Sequence, residues 1–432
     1  MFSKFKQLLR SVRNMASKGN VTFNILLVSL AVILGNVIRL HLVPISKETK
    51  QLLGYPLESI YNFTELTRHY GYDSEEHTVV TDDGYILTMF RVVKARNCKG
   101  KLIIPPVILM HGLLQSSDAW LDAGPDAGLA YLLSDACYDL WVPNQRGNNY
   151  GRKHVRLNPD KDPEFWKFSV DEIGLYDIPA TIDYVLLHTG AKKLNYIGFS
   201  QGSGTFLIMC SERPGYCDKA NSLIGLAPAA RQTHTKSIPY RMLMESISAL
   251  EPVFSAAGIQ EILSKGALSQ EFLAFFCQLG KVAEVICGTG EALIDSFHPG
   301  SIKNGTIQSL FGHFPAGTSV HNMARYGQSM KTDEFQKFDY GKEKNLEIYG
   351  SSEPPKYNLT AVSIPVMALY GRNDYLVDTK DIDWLVEKLP NVAEAVAVKD
   401  PLWNHLDVTY SQYTGEMIFP KINEYLLKYS LK

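Results

Sequence analysis

The 432-residue sequence predicts an α/β fold in which a mostly parallel central sheet is flanked by helices and interrupted by an inserted, mainly helical cap and lid. Three observations carry this expectation. Short apolar runs at 106–110, 138–142, 194–197, 222–226 and 365–369 each precede a turn and a helical stretch, which is how buried parallel strands read. Ahead of them, residues 77–93 alternate apolar and polar on both sides of Asp82-Asp83-Gly84, the turn chemistry of an antiparallel hairpin at a sheet edge. The strand rhythm then lapses between about 231 and 356, where the pattern turns helical.

In chain order, 174–187 reads as a helix with Asp177 as its cap and Pro179 in its first turn, where a missing N–H costs nothing. Residues 201–209 and 382–389 read as further helices, and 395–398 as a last strand. Within the insertion, Phe272-Leu273-Ala274-Phe275-Phe276 allows two readings, an exposed face that docks on lipid or a helix buried against the rest of the cap. The expected organisation is a leader over 1–44, a first core part over 45–230, the cap and lid over 231–356, and a second core part over 357–432.

Hydrophobic residues make up 45% and charged residues 20%, which excludes a disordered, collagen-like or coiled-coil chain. Lys and Arg number 43 against 45 Asp and Glu, so there is no basic surplus for a phosphate backbone and no nucleic-acid partner is expected. Six cysteines lack a Cys-x-x-Cys pair, so no metal and no cofactor are expected, and one or two disulfides are compatible with their spacing.

At the amino terminus Lys4, Lys6, Arg10, Arg13 and Lys18 precede a stretch, 19–38, without charge. A basic leader before such a run is an export signal, either cleaved or kept as an anchor over 21–38 with the remainder on the luminal side. Asn20, Asn62, Asn304 and Asn358 head Asn-x-Thr triplets that would be glycosylated on that route. Oligomeric state is not legible.

Gly198-Phe199-Ser200-Gln201-Gly202 fits Gly-x-Ser-x-Gly, a nucleophile elbow whose glycines Gly198 and Gly202 make room for a sharp strand-to-helix turn. The strand at 194–197 before it and the helix after it are the context this motif requires. A serine hydroxyl needs a base, and the base needs a partner that fixes its tautomer; in this setting the chain order is serine, acid, histidine. Asp374 is the preferred acid because it lies in the turn Gly371-Arg372-Asn373-Asp374 after a late strand, whereas its rivals Asp378, Asp381 and Asp383 fall near or within the next helix. His405 follows the last strand and is the only histidine after Asp374. Charge developing on a carbonyl oxygen calls for fixed N–H donors, each worth about 3 kcal/mol. Gln201, after the serine, offers one, and Leu113, in the loop His111-Gly112-Leu113-Leu114, offers the other; His111 is then structural.

With these residues in place the chain resembles the acid lipase family of α/β-hydrolases, which includes the gastric and lysosomal acid lipases. The resemblance runs from about Tyr55 to Tyr425. It rests on His111 to Leu114, Asn144-Gln145-Arg146-Gly147-Asn148, Glu164-Phe165-Trp166, Phe168-Ser169-Val170-Asp171-Glu172, the stretch 176–183, Pro315-Ala316-Gly317-Thr318-Ser319-Val320, the stretch 370–374 and Asn404-His405-Leu406-Asp407. It implies an α/β-hydrolase fold and a secreted or lysosomal hydrolase of triacylglycerols or sterol esters, met at an oil–water or membrane interface. Ser200, Asp374 and His405 would form the triad, with Leu113 and Gln201 as the oxyanion hole. Two departures stand out. Phe199 occupies a position where the family usually has His, and a cysteine partner often found near Cys277 and Cys287 is replaced around Leu268, which puts the family's short disulfide in question. Two other functions compete: a non-catalytic lipid-binding or adhesion protein on the same fold, and an esterase for short soluble esters.

Overall fold

The structure, a computed structural model, describes residues 45–100 and 103–430; the predicted leader lies outside them. Strands β1 (Asp73–Val80) and β2 (Tyr85–Lys94) pair antiparallel around a turn in which Gly84 takes a φ of 98°. The other strands are β3 (Ile103–Met110), β4 (Tyr138–Pro143), the two-residue β5 (Lys153–His154), β6 (Leu194–Phe199), β7 (Ala220–Leu226), β8 (Glu261–Ile262), β9 (Thr318–Ser319), β10 (Val366–Tyr370) and β11 (Val392–Ala397). The main sheet runs β1-β2-β4-β3-β6-β7-β10-β11, parallel from β4 to β11, with β5 added to β2 and β8 pairing β9 apart from it.

Helices α1 (Leu129–Asp135), α2 (Ile178–Thr189) and α3 (Gln201–Glu212) link the early strands. Between β7 and β10 come α4 (Ile238–Ala256), α5 (Leu268–Phe276), α6 (Lys281–Ile294), α7 (Asn304–His313), α8 (Val320–Ser329) and α9 (Lys342–Tyr349); α10 (Thr379–Lys388) and α11 (Phe419–Ser430) follow β10 and β11. Strand alternation sorts the core into two layers. Ile108, Met110 and Tyr196 join Ile178, Ile182 and Phe206 on one side, while Val107, Leu109 and Ile197 join Tyr131, Ile422 and Tyr425 on the other. Both faces are thus covered, as a parallel sheet requires, and each fully buried large side chain contributes about 1.5–3 kcal/mol. Strand order reverses at β3, which lies between β4 and β6, so the loops leaving β3 and β6 open a crevice at the carboxyl edge of the sheet.

Two local expectations need correction. Asp177 is not a helix cap: helix begins at Val170, capped by Ser169 in a capping box with Glu172, and passes through a π-turn at Ile173–Asp177 into α2. The widened turn leads into Pro179, whose absent N–H needs no partner there. Asp177 is instead drawn inward, accepting from the Arg146 N–H at 2.8 Å and from its guanidinium Nε at 2.7 Å; Asp83 of the hairpin turn takes the other side of Arg146 at 2.6 Å. The second correction concerns cysteines. All six are paired: Cys210–Cys217 and Cys277–Cys287 close short loops, on α3 with its following turn and on the α5–α6 hairpin, and Cys98–Cys137 bridges 39 positions from the segment before β3 to the start of β4. Three disulfides belong to an oxidising compartment, hence to the secretory route. Among the described residues no helix is long and apolar enough to cross a membrane. Asn304 and Asn358 are exposed, and Asn62 caps the helix Phe63–His69, its side-chain Oδ1 accepting from the Glu65 N–H at 2.9 Å.

Candidate active site

Ser200 lies at the junction of β6 and α3 with φ 50° and ψ −115°, a conformation that costs a non-glycine residue on the order of 1–3 kcal/mol. The backbone holds it there. Its N–H donates to Leu226 O at 2.9 Å, and its carbonyl accepts from Ser203, Gly204 and Ala229 at 3.0–3.2 Å. The flanking glycines are required by contact: a Cβ on Gly198 would stand 2.7 Å from the Gly202 carbonyl, and one on Gly202 would stand 2.7 Å from His111 O. Gly202→Val is therefore expected to lower stability by about 1–3 kcal/mol through overpacking. Because the displaced strand end carries the His111 loop, labelling of Ser200 by a fluorophosphonate should fall with it; melting and labelling measured together test this.

Asp374 and His405 come together although 31 positions separate them. The His405 Nδ1–H donates to Asp374 Oδ2 at 2.7 Å, while Asp374 Oδ1 accepts the N–H groups of Leu376 and Val377 at 2.9 and 2.7 Å. The carboxylate is thereby fixed in its own turn and the imidazole in one tautomer, leaving Nε2 unprotonated to accept a proton. Burial works against the imidazolium, but the Asp374 charge, its hydrogen bond and the charge of Asp295 outweigh it, and the His405 pKa is raised above its usual value. The imidazole lies against the elbow, its centroid 4.7 Å from that of Phe199. The rival carboxylates are engaged elsewhere: Asp378 caps α10 and pairs with Lys236, and Asp381 pairs with Arg231 and His234. Asp383 belongs to α10 as well.

Gln201 is the first residue of α3, so its N–H belongs to the set of donors that a helix leaves without an internal partner. Leu113 lies between Gly112 and Leu114, and the positive φ of Leu114, 61°, bends the loop over the end of β3. This loop is pinned by His111, which is buried and donates from Nδ1 to Gly112 O at 2.8 Å while its Nε2 accepts from the Gln145 N–H at 3.1 Å. With both nitrogens committed and burial pushing its pKa down to about 4, His111 is a neutral strut. The Gln201 amide is held in turn, bonded to Gln145 and accepting from Asn322 of α8 at 3.1 Å. The motif Asn144 to Asn148 therefore serves to brace the loop carrying Leu113.

Comparison with known proteins shows the family. Residues 63–124 match the partial alpha/beta-hydrolase lipase region, and residues 105–247 match the alpha/beta hydrolase fold. The chain is 34% identical over 367 residues to the human gastric triacylglycerol lipase, covering 84% of this chain and 90% of that one. This chain belongs to the acid lipase family of α/β-hydrolases. Two further relatives are Lipase 1 of Drosophila melanogaster, 36% identical over 371 residues (86% of this chain, 81% of the relative), and human lipase member K, 34% identical over 362 residues (83% and 88%).

As an acid lipase the protein is a carboxylic ester hydrolase, and its site includes one group that sequence reasoning missed. Asp295, immediately after α6, is buried and accepts hydrogen bonds from the N–H groups of Tyr375, His405 and Leu406 at 3.0, 2.7 and 3.1 Å. Asp407, noted only as part of a motif, accepts from the Asn404 N–H at 2.8 Å and shares a 2.6 Å bond with His298 Nδ1, which closes the loop around His405. The sequence Ile294-Asp295-Ser296-Phe297-His298-Pro299 signals only a helix ending before proline.

Proposed function

We propose that Ser200, His405 and Asp374 of this acid lipase cleave triacylglycerols or sterol esters through an acyl-enzyme. The observation that carries the proposal is the buried Asp374–His405 hydrogen bond set against the elbow by Phe199. Ser200 Oγ attacks the ester carbonyl carbon as its proton passes to His405 Nε2, and the oxygen takes its negative charge between the N–H groups of Leu113 and Gln201. Collapse breaks the ester C–O bond, and the leaving alcohol takes the proton from His405. Water, deprotonated by the same nitrogen, then releases the fatty acid and restores Ser200.

The segment 231–356 acts as the cap and lid. Support comes from the outer faces of α5 and α6, where Phe272, Val282, Val285, Ile286 and Leu293 are exposed, Val282 to 76%. So many large apolar residues together on a water-facing helix pair mark a docking surface, and for an ester that is insoluble the surface to dock on is lipid. The leader delivers the enzyme to the secretory route, ending in the extracellular fluid, the lysosome or an anchored form, with Asn62, Asn304 and Asn358 as glycan acceptors.

The test is turnover of a triacylglycerol emulsion against a short soluble ester. The rate should rise sharply as substrate passes its solubility limit, and Val282→Ser with Val285→Ser and Ile286→Ser should lower emulsion turnover about tenfold relative to the soluble ester. Equal turnover in both phases would count against a lipid substrate.

A further inference from the structure

We propose that Asp295 is a positioning residue for the acid and the base, one carboxylate that sets the distance between two loops arriving from different strands. The inference rests on Asp374 and His405 holding the roles given above. Its Oδ1 accepts the N–H of Tyr375, next to Asp374, and its Oδ2 accepts the N–H groups of His405 and Leu406. The residues after it repeat the grip. Ser296 Oγ donates to Asn373 O at 2.5 Å, Ser296 O accepts from Asn404 Nδ2 at 2.9 Å, and Phe297 O accepts from Asn373 Nδ2 at 3.3 Å. Thus 295–297 binds the acid turn and the base loop at the same time, from a segment that lies about 80 positions before one and 110 before the other. The two loops also meet directly, through the Asn373 N–H on Trp403 O at 3.2 Å and Asn373 Nδ2 on Leu402 O at 3.0 Å, but Asp295 holds the N–H groups of His405 itself and of Tyr375, next to Asp374, and so fixes the two ends of the 2.7 Å Asp374–His405 contact. A misplacement of about 1 Å at such a pair costs on the order of a hundredfold in rate.

The arrangement also has an electrostatic side. Asp295 is 2% exposed and lies near Glu291 of the preceding helix, Asp374 of the acid turn and His405 of the base loop, while Glu291 also faces Asp407. Burial, with the Asp374 charge, raises its pKa to about 8, while the His405 charge and the backbone donors oppose that rise. When ionised, it favours the imidazolium that forms as Ser200 gives up its proton.

The experiment uses the full chain made in secretory cells. Fluorophosphonate labelling of the wild type at Ser200, abolished by His405→Ala, is checked first, and failure there overturns the triad and the role of Asp295 together. In Asp295→Asn the amide must turn its NH₂ towards at least one backbone donor, which breaks a tether at nearly constant volume. The expected result is a fall of about thirtyfold in kcat with KM within twofold, and the same fall in labelling rate per folded molecule. Because Asp295, its pKa raised to about 8, is already uncharged through the low-pH limb of kcat/KM, that limb should stay in place while the plateau falls. A kcat within threefold of wild type, or a loss that only tracks the amount of folded protein, would overturn the proposal. Should Asp295→Asn fail to fold, Ser296→Ala removes a single bond to Asn373; it is expected to slow labelling three- to tenfold, and an unchanged labelling rate would overturn the proposal equally.

Discussion

Ser200→Ala is expected to lower kcat on every carboxylic ester by about 10⁶-fold and to abolish labelling by a fluorophosphonate, while leaving the fold intact. The size follows from removing the only atom that can form the acyl-enzyme; what remains is the binding of the oxyanion and of the substrate, on the order of 10³–10⁴ over water. The fold survives because the elbow is held by main-chain bonds, from the Ser200 N–H to Leu226 O and from Ser203, Gly204 and Ala229 to Ser200 O, none of which uses the hydroxyl. Alanine takes over the strained φ of 50° at no new cost, so the melting temperature should move by no more than about 2 °C, consistent with a small change in free energy. Turnover, labelling and melting on one preparation decide it. Retained turnover would reassign the nucleophile, and loss of turnover together with loss of folding would show that the elbow depends on the hydroxyl after all.

The elbow could be read from sequence because its requirements are local. A buried strand, a turn with two glycines and a helix lie within about 20 consecutive residues, and each leaves its own periodicity. The same is true of the β1–β2 hairpin, where alternation and Asp82-Asp83-Gly84 together specify both pairing and turn. Legibility fades where a side chain's role is set by something remote. Asp177 looked like a cap because a proline follows two residues on, and only the buried Arg146, 31 positions earlier, shows why it faces inward. Asp295 is the extreme case. Its partners lie 80 to 111 positions away and are backbone N–H groups, which leave no trace in residue type. The insertion thus reads as helical from its pattern, while its grip on the acid and base loops is visible only in three dimensions.

Asp374→Asn should cost nearly as much as loss of a catalytic group, about 10⁴ in kcat, although it changes a single atom. The argument runs through the hydrogen bonds. Asp374 Oδ1 accepts from Leu376 and Val377, so the carbonyl oxygen of the asparagine takes that place and the NH₂ group is left facing His405 Nδ1. A donor there forces the imidazole to accept at Nδ1 and carry its proton on Nε2, the nitrogen that must take the proton from Ser200. The variant is thus folded, with serine and histidine both present, and wrong in tautomer. Charge gives a second, independent signature. Burial disfavours the His405 imidazolium, and the Asp374 carboxylate is the first of the groups that reverse this and raise its pKa. Removing that charge lowers the pKa, so the low-pH limb of kcat/KM, where the imidazole becomes protonated and inactive, should shift to lower pH as the plateau drops. A reduced plateau with an unmoved limb would mean that another carboxylate, Asp295 being the nearest candidate, supplies the field at His405, whereas a fall of less than tenfold would mean that Asp374 does not fix the tautomer.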